Sequence, residues 1–179
     1  EVDGQVVDLR TVVDQDAQVN ILTVSDEGGL STLRHTASHV MAQAIKRLYP
    51  NTKLAIGPSI ADGFYYDVDP ETPLTAEDME KIEAEMKKIV KEALPIERFT
   101  LPREEAIALM REKEEPYKVE LIEDLPEGEE ISFYRQGEFT DLCAGPHLMN
   151  TKDLGKAYKL MNLAGAYWRG SEKNKMLTR

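Results

Sequence analysis

Cysteine occurs once in the 179-residue chain, at Cys143, and histidine only three times, at His35, His39 and His147. A single thiol excludes an intramolecular disulfide framework. No apolar run approaches the roughly 20 residues that a membrane-spanning helix needs. The opening, EVDGQVVDLR, has neither the basic segment nor the apolar core of a secretory leader. These absences point to a soluble cytoplasmic protein, and a start without Met points to a piece of something longer. Glycine (11) and proline (9) are too sparse for a disordered chain, and a 41% hydrophobic content can fill one domain core.

Positive charge is also scarce. The net charge of −11 argues against a general polyanion binder. Its distribution is uneven. Residues 71–130 hold 19 acidic and 9 basic side chains, whereas residues 151–179 hold 7 basic and 2 acidic ones. An acidic middle and a basic end could orient the domain on an RNA, or could be a solvated helix surface followed by a charged linker.

Periodicity and punctuation predict an α+β chain without a βαβ rhythm, with helices packed on antiparallel sheet. QVVDL and QVNILTV in residues 1–23 read as two short strands, a unit that is marginal alone. SDEGG marks a boundary, and Ser31 is the expected N-cap of a helix running to Tyr49, before Pro50. KLAIGPSIADGFYYDVD reads as two strands with turns at Gly57-Pro58 and Asp62-Gly63. Thr75 caps a second helix extending to about Leu94, with Met79, Ile82, Met86, Ile89 and Ala93 at helical spacing. PIERFTLP reads as a strand, residues 103–114 and 117–124 as shorter helices, and ISFYRQ, EFTDLC, AYKLMNLAG and AYWRG as strands.

All three histidines and the lone cysteine fall in two short segments, RHTASH and CAGPH. On the first helix, Leu33, Ala37, Val40, Met41, Ala44 and Leu48 form the apolar stripe, and His35 and His39 point away from it. That leaves a solvent-facing pair or one wall of a polar cleft. In EFTDLC, Phe139, Asp141 and Cys143 share a face by strand alternation. Ala-Gly-Pro then turns the chain so that His147 can return towards Cys143, although a tight turn around a small buried cysteine would look the same. Two imidazoles, a thiol and a third imidazole are ligands that tetrahedral zinc prefers. A metal-free hydrolytic pocket is equally open, with neutral imidazoles polarising water and Asp141 fixing a tautomer or accepting from an ammonium. A nucleophilic Cys–His pair is a third option.

RHTASHVMAQAIKRLYP, IGPSIADGFYYDVD, EPYKVELIEDLPEGEEISFYRQGEFTDLCAGPHL and LAGAYWRGSEKNKMLTR together resemble the amino-terminal editing region of bacterial-type threonyl-tRNA synthetases. The resemblance divides the chain into residues 1–24, similar to the end of a ubiquitin-like TGS module; residues 25–165, similar to the editing domain; and residues 166–179, similar to the start of the linker to an aminoacylation core that is absent here. It implies a deacylase acting on the 3′ end of seryl-tRNA(Thr) and sparing threonyl-tRNA(Thr). The other implied partner is the rest of a synthetase chain in the cytoplasm, with no membrane. Serine lacks one methyl of threonine, a difference that binding alone turns into only about 1–3 kcal/mol of discrimination.

By the same resemblance His35, Lys118 and His39 are catalytic, and Asp141, Cys143, His147 and Tyr66 bind substrate, with Asp141 on the ammonium. Lys118 and His35 would bind the terminal ribose and stabilise charge as water attacks. No cofactor is implied for editing. The related alanine-specific domains use a similar quartet for zinc, so His35, His39, Cys143 and His147 are the alternative ligand set. A non-catalytic tRNA-docking module and a zinc-stabilised structural domain are the rival readings.

Overall fold

Gly29 fixes where the first helix can begin. A Cβ placed there would lie 2.0 Å from the Thr23 carbonyl oxygen, so only glycine lets the entering chain fold back on the helix start. In the computed structural model, which describes residues 1–179, helix α1 therefore runs Glu27–Leu48. It begins four residues before the expected Ser31 cap. Asp26 is its N-cap, with its carboxylate turned back to accept from the Thr23 N–H at 2.8 Å. The Ser31 hydroxyl bonds the Ser59 hydroxyl instead.

The strands expected before this helix do not form. Val2 makes isolated bridges to Gln5 and Val19 only. Leu9, Val12, Ile21 and Val24 are exposed, so no apolar face drives strand pairing in this segment.

After α1 come four two-residue strands where two longer ones were expected: β1 (Lys53–Leu54), β2 (Ser59–Ile60), β3 (Gly63–Phe64) and β4 (Val68–Asp69). β2 and β3 form a hairpin, and β1 pairs with β4. Helix α2 (Ala76–Glu92) starts at a reciprocal capping box between Thr75 and Asp78. Its buried face is Ile82, Met86 and Ile89, packed with Ala37, Val40, Ala44 and Leu54 in the main core. Ile82, Met86 and Ile89 each contribute about 1.5–3 kcal/mol by leaving water.

The second layer is β5 (Ile96–Thr100), helices α3 (Arg103–Glu112) and α4 (Pro116–Glu123), β6 (Ser132–Gln136) and β7 (Phe139–Leu142). β5, β6 and β7 form an antiparallel sheet with Tyr134 opposite Asp141. Ala106, Met110, Ile122, Ile131 and Phe133 make a smaller core beneath α3 and α4.

AYKLMNLAG is not a strand. Residues 155–164 form no regular element, and only β8 (Gly165–Tyr167) is extended. β9 (Met176–Thr178), not foreseen, pairs with both β8 and β4 and completes a four-stranded antiparallel sheet. Trp168 is buried with Ala55 and Leu177, and its indole N–H donates to Glu120. The α+β class with antiparallel sheets stands. No helix is long and apolar enough to cross a membrane.

Candidate active site

Helix α1 is buried on both of its sides. Its apolar stripe meets α2, and the opposite face, carrying His35, Thr36, His39 and Gln43, packs against β7 and the turn that follows it. The solvent-facing option for the histidine pair is thereby corrected, since His39 is only 3% exposed. The helix has no free polar face because the second layer covers it.

β7 alternates as expected, with Phe139 and Asp141 inward. The Cys143 N–H donates to the Ser132 carbonyl at 3.0 Å and extends the ladder by one step. The chain then turns through Gly145, at φ 78°, and a cis Gly145–Pro146 peptide. A Cβ at Gly145 would stand 2.1 Å from the Tyr134 hydroxyl, so this turn needs glycine for both space and conformation.

The turn brings His147 onto the helix histidines. The His147 ring centroid lies 4.2 Å from that of His35 and 4.1 Å from that of His39. The Cys143 Sγ lies 3.2 Å from Nε2 of both His35 and His147. The ligand-type atoms of His35, His39, Cys143 and His147 all fall within 4.8 Å of one another.

Thr36 sets the proton inventory of this cluster. Its hydroxyl accepts from the Leu148 N–H at 3.0 Å and has one acceptor of its own, His147 Nδ1, also at 3.0 Å. With the hydroxyl donating there, the His147 proton is assigned to Nε2, facing the Cys143 sulfur. Cys143, which also accepts from the Gly145 N–H, is left to donate its S–H to His35 Nε2. The other ring nitrogen of His35 then carries its proton. The result is a relay of three hydrogen bonds, Thr36 to His147, His147 to Cys143 and Cys143 to His35.

The charges agree with that inventory. Burial pushes the Cys143 thiol up to about 12, so it is a thiol and not a thiolate near neutral pH. Burial, with the neighbouring imidazoles, holds His39 and His147 well below their ordinary value, and burial also lowers His35. The cluster is neutral at pH 7.

Beside it lies a charged group. Asp141 accepts from the Tyr66 hydroxyl at 2.5 Å and pairs with Lys118 Nζ at 3.0 Å, and Lys118 donates to the same Tyr66 oxygen at 2.8 Å. His39 Nε2 stands 3.5 Å from the Asp141 carboxylate. All four side chains are buried. Burial and Asp141 raise Tyr66 well above its ordinary value, which keeps it a donor. Neighbouring Tyr65 does not enter the cluster; its ring lies under the Arg179 guanidinium.

The structure thus brings His35, His39, Tyr66, Lys118, Asp141, Cys143 and His147 together. His35 and Cys143 are only partly buried and form its accessible side. Tyr66 also lines an apolar cavity of about 370 Å³ with Met41, Ile45, Phe64 and Leu160.

Sequence reasoning missed Thr36, Glu115 and Tyr134. Thr36 adjoins His35 on the helix, a signal that was there to be used. Glu115 is buried just before α4, pairs with Lys46 at 3.6 Å, and has its carboxyl pushed up to about 7, chiefly by burial. Only the three-dimensional pairing of β6 with β7 brings Tyr134 to His147, ring centroids 4.5 Å apart.

The chain is similar in sequence to known proteins. Over all 179 residues the chain is 65% identical to a threonine–tRNA ligase of Acetivibrio thermocellus, and 64% and 63% identical to those of Clostridium botulinum and Clostridium tetani. Residues 131–179, which carry β7 and the Cys143–His147 turn, match the family described as threonyl and alanyl tRNA synthetase second additional domain. Along its whole length the chain is thus similar to a segment of threonine–tRNA ligases. It spans 28% of the length of these relatives.

The donor set also fits a metal. Zinc at His147 Nε2 would need the ring proton moved to Nδ1, where the Thr36 hydroxyl can accept it, and two imidazoles and a thiol lie beside that nitrogen. Zinc there would bind neutral imidazoles and would have to displace the Cys143 proton.

Proposed function

We propose that this chain hydrolyses the ester of seryl-tRNA(Thr) and spares threonyl-tRNA(Thr), as an editing deacylase within a longer synthetase chain. The observation that carries the reading is the junction of the neutral His35–Cys143–His147 chain with the buried Lys118–Asp141–Tyr66 group. Relatives named threonine–tRNA ligase supply the context of an aminoacylated tRNA.

Asp141 is the anion that receives the substrate's ammonium. Lys118 and Tyr66 fix its orientation in advance, so little reorganisation accompanies binding. Lys118 and His35 stabilise the negative charge that develops on the ester carbonyl and steady the 3′ ribose. His39 and His147 keep His35 in place through ring packing. Water adds to the ester carbonyl, the ribose oxygen leaves with a proton, and serine and tRNA are released. Cys143 is not the nucleophile, because burial keeps its proton on and both nearby imidazoles are already engaged with it. Charged groups in place already supply the electrostatic stabilisation, so no cofactor is required. Residues 1–24, 25–165 and 166–179 serve as TGS-like remnant, editing domain and start of the linker.

The His–Cys quartet supports a second reading, a zinc site that stabilises the fold or activates water. Metal analysis separates the two. Deacylation that persists after chelation, in protein holding far less than one zinc per chain, supports the metal-free reading. Stoichiometric zinc with loss of activity on chelation supports the other. Binding of tRNA with no ester cleavage would favour a docking module instead.

A further inference from the structure

The first segment of the chain has few apolar anchors to the body, yet it is fastened at one point by five hydrogen bonds, with two more between Asp8 and Arg10 themselves. Asp8 Oδ2 accepts from the Tyr134 hydroxyl at 2.6 Å and from the His147 N–H at 3.1 Å. Asp8 Oδ1 accepts from the Arg10 backbone N–H at 2.9 Å and from its Nη1 at 2.8 Å. The Arg10 guanidinium then donates to three carbonyls, those of His147 at 3.3 Å, Leu148 at 2.9 Å and Ile96 at 2.5 Å. Its centre also lies 5.5 Å from the Tyr134 ring centroid.

These contacts enclose one residue of the candidate active site. Asp8 takes the N–H of His147 and Arg10 takes its C=O, while Thr36 takes its Nδ1. The same Tyr134 hydroxyl that Asp8 receives is the group that a Cβ at Gly145 would strike. Both Asp8 and Arg10 are more than four-fifths buried at the side chain, in a segment whose hydrophobic residues are largely exposed. Three carbonyls in different directions need the planar fork of an arginine, and a lysine would satisfy at most part of them.

We propose that Asp8 and Arg10 are positioning residues of the active site: a strap by which the first segment fixes the 143–148 turn, and with it His147 and Cys143, against the helix histidines. The proposal rests on reading the site as an ester-hydrolysing pocket. A consequence is that the TGS-like segment and the editing pocket are mechanically coupled. An active-site turn displaced by about 1 Å can lose about a hundredfold in rate.

The test compares the 179-residue chain with its Asp8→Asn, Arg10→Lys and Tyr134→Phe variants. Three quantities are measured: kcat and KM for seryl-tRNA hydrolysis, alkylation of Cys143 by iodoacetamide, and the melting temperature. Asp8→Asn and Arg10→Lys are expected to lower kcat about 10–100-fold with KM changed less than about two-fold, and to speed alkylation, because a loosened turn exposes the sulfur. Tyr134→Phe keeps the ring and removes one of the contacts, so its effect is expected to be smaller and in the same direction.

Unchanged kcat in folded variants of an active protein overturns the proposal. So does a loss of rate that only follows a lower folded fraction and vanishes well below the melting temperature. If the parent chain cleaves no ester, the hydrolase reading fails on its own and alkylation alone decides the strap: faster in the variants supports it, unchanged refutes it. Should Asp8→Asn fail to fold, the other two variants carry the decision.

Discussion

Lys118 Nζ stands 3.0 Å from Asp141 Oδ1, with both side chains buried and the Tyr66 hydroxyl bonded to each. The pair links α4 to β7, two elements that meet only in the folded chain. Removing one partner leaves the other charge without compensation. Lys118→Met is therefore expected to destabilise the fold by about 3–5 kcal/mol, while the double change Lys118→Met with Asp141→Leu costs less than the single one. Urea denaturation of the parent, Lys118→Met, Asp141→Leu and the double variant measures this. A double variant as unstable as the sum of the singles would contradict the pairing.

Glu115 gives a pH signature with a defined sign. Its carboxyl is pushed up to about 7 in the folded chain, against 4.5 ordinarily. The folded state thus holds a proton that the unfolded state has lost, so this group's contribution is present below pH 4.5 and disappears as pH rises through about 7. Glu115→Gln removes that dependence. The stability of the variant relative to the parent should rise between pH 5 and pH 7, with a steepest slope of about 1.4 kcal/mol per pH unit. Thermal melts at several pH values check it, and a constant difference would refute it.

The three imidazoles act in the opposite sense. They are lowered on folding, so the unfolded chain takes up protons below pH 6.5 that the folded chain refuses. They outnumber Glu115. The stability of the parent protein should accordingly fall on acidification from pH 6.5 towards pH 5, and more steeply in Glu115→Gln. Denaturation midpoints across that range decide the matter; a midpoint that stays level or climbs on acidification would contradict it.

Cys143 should be a slow nucleophile. A thiol raised from 9.0 to about 12 has about a thousandfold less thiolate at neutral pH. Iodoacetamide at pH 7.5 should alkylate the native chain far more slowly than the urea-unfolded chain. Equal rates would show a thiolate and reopen the nucleophilic reading.

Gly57 should tolerate no side chain. A Cβ there would come within 2.2 Å of the Tyr66 ring, whose hydroxyl holds Asp141. Gly57→Ala is expected to displace Tyr66 and lower ester hydrolysis at least about tenfold. Full activity in this variant would separate Tyr66 from the function of Asp141.

Much of this was legible in the sequence, for reasons that differ by element. The Thr75–Asp78 capping box and the period of Ile82, Met86 and Ile89 are local signals, and α2 appeared where they placed it. The meeting of the two histidine-bearing segments followed from their shared residue types and the Gly145–Pro146 turn. The start of α1 was missed because Gly28 and Gly29 look like a breaker, whereas the missing side chain of Gly29 is what admits the Thr23 carbonyl. Strands β1 to β4 are only two residues long, too short for a clear alternation, and β4 also depends on β9, more than 100 residues on, at Val68 and Thr178. The histidine faces were ambiguous because an amphipathic pattern locates the apolar core but says nothing of a second polar layer. Asp8 gave no signal at all, since its partners lie more than 120 positions along the chain, at Tyr134 and His147.

The central claim, that the clustered imidazoles, Lys118 and Asp141 hydrolyse a misplaced seryl ester, is tested most directly by incubating the purified chain with seryl-tRNA(Thr) and threonyl-tRNA(Thr) in parallel. The account predicts rapid release of serine, little release of threonine, and loss of the serine reaction in Lys118→Met and His35→Ala. Equal hydrolysis of both esters, or none of either by a folded chain, would contradict it.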